Sequence, residues 1–161
     1  MSFITENILT LKNKIPGSVR VVAVSKTKSA DEIMEAYNTG QRIFGENRVM
    51  EVLSKKDTLP GDVEWHFIGH LQTNKVKFLV PFISMIESVD SFKLLRVINS
   101  EALKKERTVK CLLQFYIARE EKKSGFLIEE ALEMLKSEDY RQLKNTEVCG
   151  VMGMATFTNN S

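Results

Sequence analysis

Six short apolar runs, each followed by a stretch of helical periodicity, recur along the chain at intervals of about twenty residues. No other feature restricts the fold so strongly. The runs cover 19–25, 43–47, 64–69, 85–89, 109–117 and 147–154. Helices are expected over 2–14, 30–38, 48–56 and 74–79, then from a cap at Asp90 or Ser91 to about Glu106, and over 127–137. Ser29 and Glu32 have capping-box spacing, and Gly40 is placed to end its helix in a left-handed residue. Strands that alternate with helices join through right-handed crossovers, which gives a parallel sheet flanked by helices.

Two architectures satisfy this pattern, an open doubly wound sheet and a (β/α)8 barrel of the TIM-barrel type. The even spacing, and the lack of a glycine-rich dinucleotide fingerprint after the first run, favour the barrel. A barrel uses about 250 residues and rarely fewer than about 200. The 161 residues hold six βα units. The expectation is one α/β-barrel domain over 1–161, C-terminally incomplete, with the last two units missing and the natural chain continuing past Ser161.

Charge and composition narrow the function class. Twenty-three basic residues oppose 21 acidic ones, net +2, with the lysines dispersed. That argues against nucleic-acid or membrane partners. No run approaches the roughly 18 apolar residues of a membrane span, and no secretory signal pattern opens the chain, so a cytoplasmic location is expected. Cys111 and Cys149 both sit in apolar runs and are expected to be buried, reduced thiols. Two histidines are too few for a histidine-rich metal site, and no metal is expected.

In βα architectures the carboxyl ends of the strands carry the site. The polar residues there are Lys26 and Lys28, then Glu46, Asn47 and Arg48, then His66 and His70, then Glu87 and Ser88, then 154–156. The run 19–25 reads as a strand buried on both faces, which puts a lysine amine at the mouth of a pocket. An amine at low-dielectric depth can lose its proton and add to a carbonyl. Period-two alternation does not choose between Lys26 and Lys28, which share parity. His66, between Trp65 and Phe67, also suits a hydrogen-bonded core histidine, and Glu46-Asn47 also suits a helix cap. Lys122 and Lys123, beside Glu120 and Glu121, read as a solvated loop.

Val22-Ala-Val-Ser-Lys-Thr-Lys28, Phe44-Gly-Glu-Asn-Arg48, Trp65-His-Phe-Ile-Gly-His-Leu-Gln-Thr-Asn-Lys75, Ile86-Glu-Ser-Val-Asp90 and Gly150-Val-Met-Gly-Met154 together resemble the YggS/PROSC family of pyridoxal 5′-phosphate (PLP) binding proteins. Their fold is like the N-terminal barrel domain of alanine racemase, and the resemblance spans nearly the whole chain in order. It implies PLP as cofactor and Lys26 as the residue that forms the internal aldimine, with Asn47 and His66 near the cofactor. The family's Ser-Met-Gly-Met-Ser and Arg-Ile-Gly segments, on its seventh and eighth strands, cradle the phosphate and contact the ring. Neither occurs in these 161 residues. A chain that ended at Ser161 would therefore be expected to bind PLP weakly.

The resemblance implies a role in PLP (vitamin B6) homeostasis, with PLP and PLP-dependent apoenzymes as partners, a monomeric state and no defined catalytic activity. Related racemases use a tyrosine of a second domain as the acid/base on the opposite face, and nothing in this chain can supply it. The alternatives are a PLP-dependent amino-acid racemase or other lysine Schiff-base enzyme, and a PLP-free interaction domain.

Overall fold

The structure is a computed structural model, and it describes residues 2–116 and 124–153. The chain divides into two compact units, residues 1–67 and 68–161.

In the first unit, helix α1 spans Phe3–Lys14, and the Ser2 hydroxyl accepts from the Thr5 N–H as its cap. Strand β1 (Ala23–Val24) leads into α2 (Ala30–Asn38), β2 (Ile43–Glu46), α3 (Val49–Lys55) and β3 (Glu64–Phe67). The three strands are parallel, with Val24 opposite Gly45 and Gly45 opposite His66. Ser29 begins α2 with the full capping box, its hydroxyl accepting from Glu32 N–H while the Glu32 carboxylate accepts from Ser29 N–H. Gly40, at φ +83°, takes the left-handed conformation that ends α2 at little cost. Ile33 and Ala36 of α2, Val52 of α3, and Phe44, Trp65 and Phe67 of the strands are buried. Each of the larger side chains contributes about 1.5–3 kcal/mol by leaving water.

The second unit opens with a 3-10 turn, Thr73–Lys75, running into α4 (Val76–Leu79). Then come β4 (Met85–Val89), α5 (Phe92–Lys104), β5 (Val109–Phe115), α6 (Ile128–Lys136), α7 (Glu138–Arg141) and β6 (Thr146–Gly153). β4, β5 and β6 are parallel. Leu94, Leu95 and Ile98 of α5 are buried, as are Ile86 and Val89 of β4 and Val109, Cys111 and Leu113 of β5. Ser91, not Asp90, caps α5.

Three expectations need correction. The first strand is shorter than the apolar run, because β1 holds only Ala23–Val24, and it is not buried on both faces, since Val19 and Val24 are each 52% exposed. Just before the paired residues the Gln41 side-chain amide, not a neighbouring strand, donates to the Val21 carbonyl at 2.8 Å. Cys149 is exposed rather than buried, because β6 alternates half-buried and exposed residues along its whole length. The short helix α7 is capped by the Ser137 hydroxyl and went unforeseen. The expectations on residues 118–123 and 154–156, and on the last residue of the fifth run, lie outside the described residues. No helix among the described residues is long and apolar enough to cross a membrane.

Candidate functional site

The first unit gathers its polar residues where β1, β2 and β3 end. In a parallel ladder, residues in register point to one face, and residues two apart along a strand share it. The rows Ala23–Phe44–Trp65 and Val24–Gly45–His66 therefore sort the strand ends into two faces. Phe44, Glu46, Trp65 and Phe67 share the face covered by helices. Gly45 and His66 share the other, while Asn47 follows the last residue of β2 and Lys26 lies in the turn after β1.

On the helix-covered face lies a buried ionic cluster. Glu46 is 0% exposed, and its Oε1 accepts from Lys55 Nζ at 2.8 Å and from Ser25 Oγ at 2.7 Å. Glu46 is not the helix cap; that position belongs to Arg48. Lys55 Nζ donates twice more, to the Ser25 carbonyl at 3.0 Å and to Glu51 Oε1 at 2.8 Å. Glu51 Oε1 also accepts from the Thr27 N–H. Burial alone would lower the Lys55 ammonium, but its hydrogen bonds to Glu46 and Glu51 outweigh it and hold the group above the ordinary lysine range. The hydrogen bond from Lys55 holds the Glu51 carboxyl below its usual range, against opposition from burial and with help from the Thr27 N–H.

Between those anchored residues stands Lys26. The Ser25 carbonyl accepts from the Lys28 N–H at 3.1 Å, closing a four-residue turn with Lys26 and Thr27 at its centre. Thr27 has φ +65°, whereas Lys26 keeps the ordinary sign, which is the type II pattern. Lys26 is exposed, and its amine has no ion pair among the described residues. Lys28 differs in this respect, because its amine donates to Glu32 at 3.0 Å across one helical turn. Asn47 follows β2 directly and is half-buried, and His66 lies 5% exposed within β3.

The remaining expected residues belong to the second unit. His70 Nδ1 lies 3.1 Å from Asp90 Oδ2, and the Ser88 hydroxyl donates to the Gly69 carbonyl at 2.6 Å. No group of three or more histidine, cysteine or acidic side chains is placed to hold a metal ion among the described residues. Glu51 and Lys55 were not singled out by the sequence reading. Their i,i+4 spacing on α3 is visible in the sequence, but only strand register reveals that the pair is clasped to Glu46.

The chemistry of these residues suits an aldehyde-bearing, polar aromatic group. An exposed primary amine without an ion pair can condense with an aldehyde, and a carboxamide and an imidazole, Asn47 and His66, stand at the ends of β2 and β3.

Residues 1–160 match the family described as alanine racemase, N-terminal domain. The chain is 41% identical over 148 residues to the pyridoxal phosphate homeostasis protein of Mus musculus, which covers 86% of this chain and 53% of that protein. It is 39% identical over 140 residues to the protein of that name in Synechocystis, covering 86% of this chain and 63% of the other. It thus spans about half to two-thirds of the length of these relatives. PipY of Synechococcus elongatus, solved with PLP bound, superposes with a TM-score of 0.89 at 34% identity, covering 98% of this chain and 73% of PipY. Alanine racemase from Bartonella henselae shares the fold at a TM-score of 0.72 and 17% identity, covering 93% of this chain and 42% of the racemase.

Proposed function

We propose, from the premise that this chain belongs to the alanine racemase N-terminal domain family, that it is a PLP-binding protein of vitamin B6 homeostasis which holds the cofactor as a Schiff base on Lys26. PLP brings an aldehyde that a primary amine attacks with loss of water, and a ring and phosphate that need polar partners.

One observation carries the choice of lysine. Lys26 and Lys28 have the same parity, but Glu32 engages the amine of Lys28 while that of Lys26 has no ion pair among the described residues. Asn47, directly after β2, and His66, within β3, would orient the ring. The homeostasis proteins that this chain resembles, and PipY with PLP bound, support the reading. The chain would form the PLP-holding part of a single barrel domain, and act as a cytoplasmic monomer that passes PLP to apoenzymes rather than as an enzyme.

The test is direct. Protein incubated with PLP and reduced with borohydride should carry one pyridoxyl group, which peptide mass spectrometry finds on Lys26. Lys26→Ala should abolish the label and Lys28→Ala should keep it. A label that survives Lys26→Ala, or no label on the parent, defeats the proposal.

A further inference from the structure

The turn that carries Lys26 is held from both ends by a cluster that never touches the amine itself. On the near side, Ser25 is fixed three ways: its N–H donates to the Gly45 carbonyl at 2.9 Å, its hydroxyl donates to Glu46, and its carbonyl accepts from Lys55. On the far side, the Thr27 N–H donates to Glu51. Lys55 joins both ends, because its ammonium binds Glu46 and Glu51 together.

Thr27 shows why such a clasp is needed. A β-branched residue at φ +65° occupies a position that type II turns reserve for glycine. Backbone in that region is held only where the surroundings over-determine it. The Glu51 carboxylate, itself fixed by Lys55, is the acceptor that holds the Thr27 N–H in place. We propose that Glu51 and Lys55 are positioning residues, which lock the Ser25–Lys28 turn so that the Lys26 amine is presented to an incoming aldehyde. This rests on the assignment of Lys26 made above.

Glu51→Ala and Glu51→Gln separate positioning from mere folding. Glutamine keeps an oxygen that can accept from both Thr27 and Lys55, whereas alanine removes it. Two readouts are taken on variants matched by far-ultraviolet circular dichroism: the rate at which PLP and borohydride label Lys26, and hydrogen exchange at the Thr27 amide. The expected result is that Glu51→Ala slows Lys26 labelling by about tenfold or more and speeds Thr27 exchange, while Glu51→Gln stays near the parent. Labelling of Glu51→Ala at the parental rate overturns the inference, as does unchanged Thr27 exchange. Should Glu51→Ala fail to fold, Glu51→Asp, one methylene shorter, takes its place with the same two outcomes. If the parent takes no PLP, the cofactor reading falls. The same comparison with glyoxylate and cyanoborohydride, a phosphate-free aldehyde, then decides the turn by itself: a slower Glu51→Ala sustains it and equal rates reject it.

Discussion

Lys55 Nζ donates to Glu46 Oε1 at 2.8 Å inside a region where the Glu46 side chain is wholly shielded from water. A buried ion pair adds little when compared with an apolar pair of similar size, but removing one partner strands the other charge. Lys55→Met should therefore destabilise the fold by about 3–5 kcal/mol, a large share of the roughly 5–15 kcal/mol that a domain possesses. Glu46→Met/Lys55→Met removes the two most buried charges, leaves the partly exposed Glu51 to water, and should recover part of that loss. Urea midpoints of the parent, the single variant and the pair check this, and a double variant no more stable than Lys55→Met contradicts it.

The same cluster sets a pH dependence. The folded Glu51 carboxyl lies below its ordinary range, chiefly through its hydrogen bond from Lys55, so its contribution is present above the unfolded value of about 4.3 and is lost as pH falls through the lower folded value. Lys55 is displaced the other way, its contribution being complete below about 10.4 and lost as pH rises through the higher folded value. Between these limits the stability difference between the parent and Glu51→Ala should be flat. Urea midpoints measured from pH 7 down to 3 should show that difference shrinking below about pH 4. A difference that stays constant to pH 3 would show that Glu51 gains nothing from its charge.

Thr27 at φ +65° predicts a substitution that improves the fold. A left-handed residue with a Cβ costs about 1–2 kcal/mol. Glycine avoids that cost and gives back about 0.5–1 kcal/mol through the greater freedom of its unfolded chain. Thr27→Gly should thus be stabilising by about 0.5 kcal/mol, read as a rise in the urea midpoint without a change in slope. A clear loss of stability would mean that the Thr27 side chain supplies something beyond its backbone amide.

Much of this was legible in the sequence wherever the signal was local. The capping box of Ser29 and Glu32 and the left-handed Gly40 follow from residues within one turn of each other, and the βα alternation from the regular spacing of short apolar runs. What escaped depends on partners distant in the chain. The run 19–25 is apolar enough for a buried strand, yet only Ala23–Val24 joins the ladder, and the Val21 carbonyl is taken by the side chain of Gln41, twenty residues away. Glu46-Asn47 stands where a helix cap would, and the burial of Glu46 against Lys55 becomes visible only once the α3 and β2 residues are brought together. Lys26 and Lys28 are equivalent by parity, and the difference between them lies in Glu32.

The two cysteines offer a last measurement, because burial divides a pair that composition treats alike. Cys111 is 0% exposed, and burial pushes its thiol up to about 12, which keeps it protonated at pH 8. The Cys149 thiol is also raised, by burial first and by neighbouring Glu147 second, but it stands exposed on β6. An aromatic disulfide reagent at pH 8 should therefore titrate a single thiol in the native protein, and the second only after denaturation. Peptide mapping should place the fast label on Cys149, and Cys149→Ser should leave the native protein unreactive. Two thiols reacting together without denaturant would mean that the strand pair β5–β6 opens readily enough to expose Cys111.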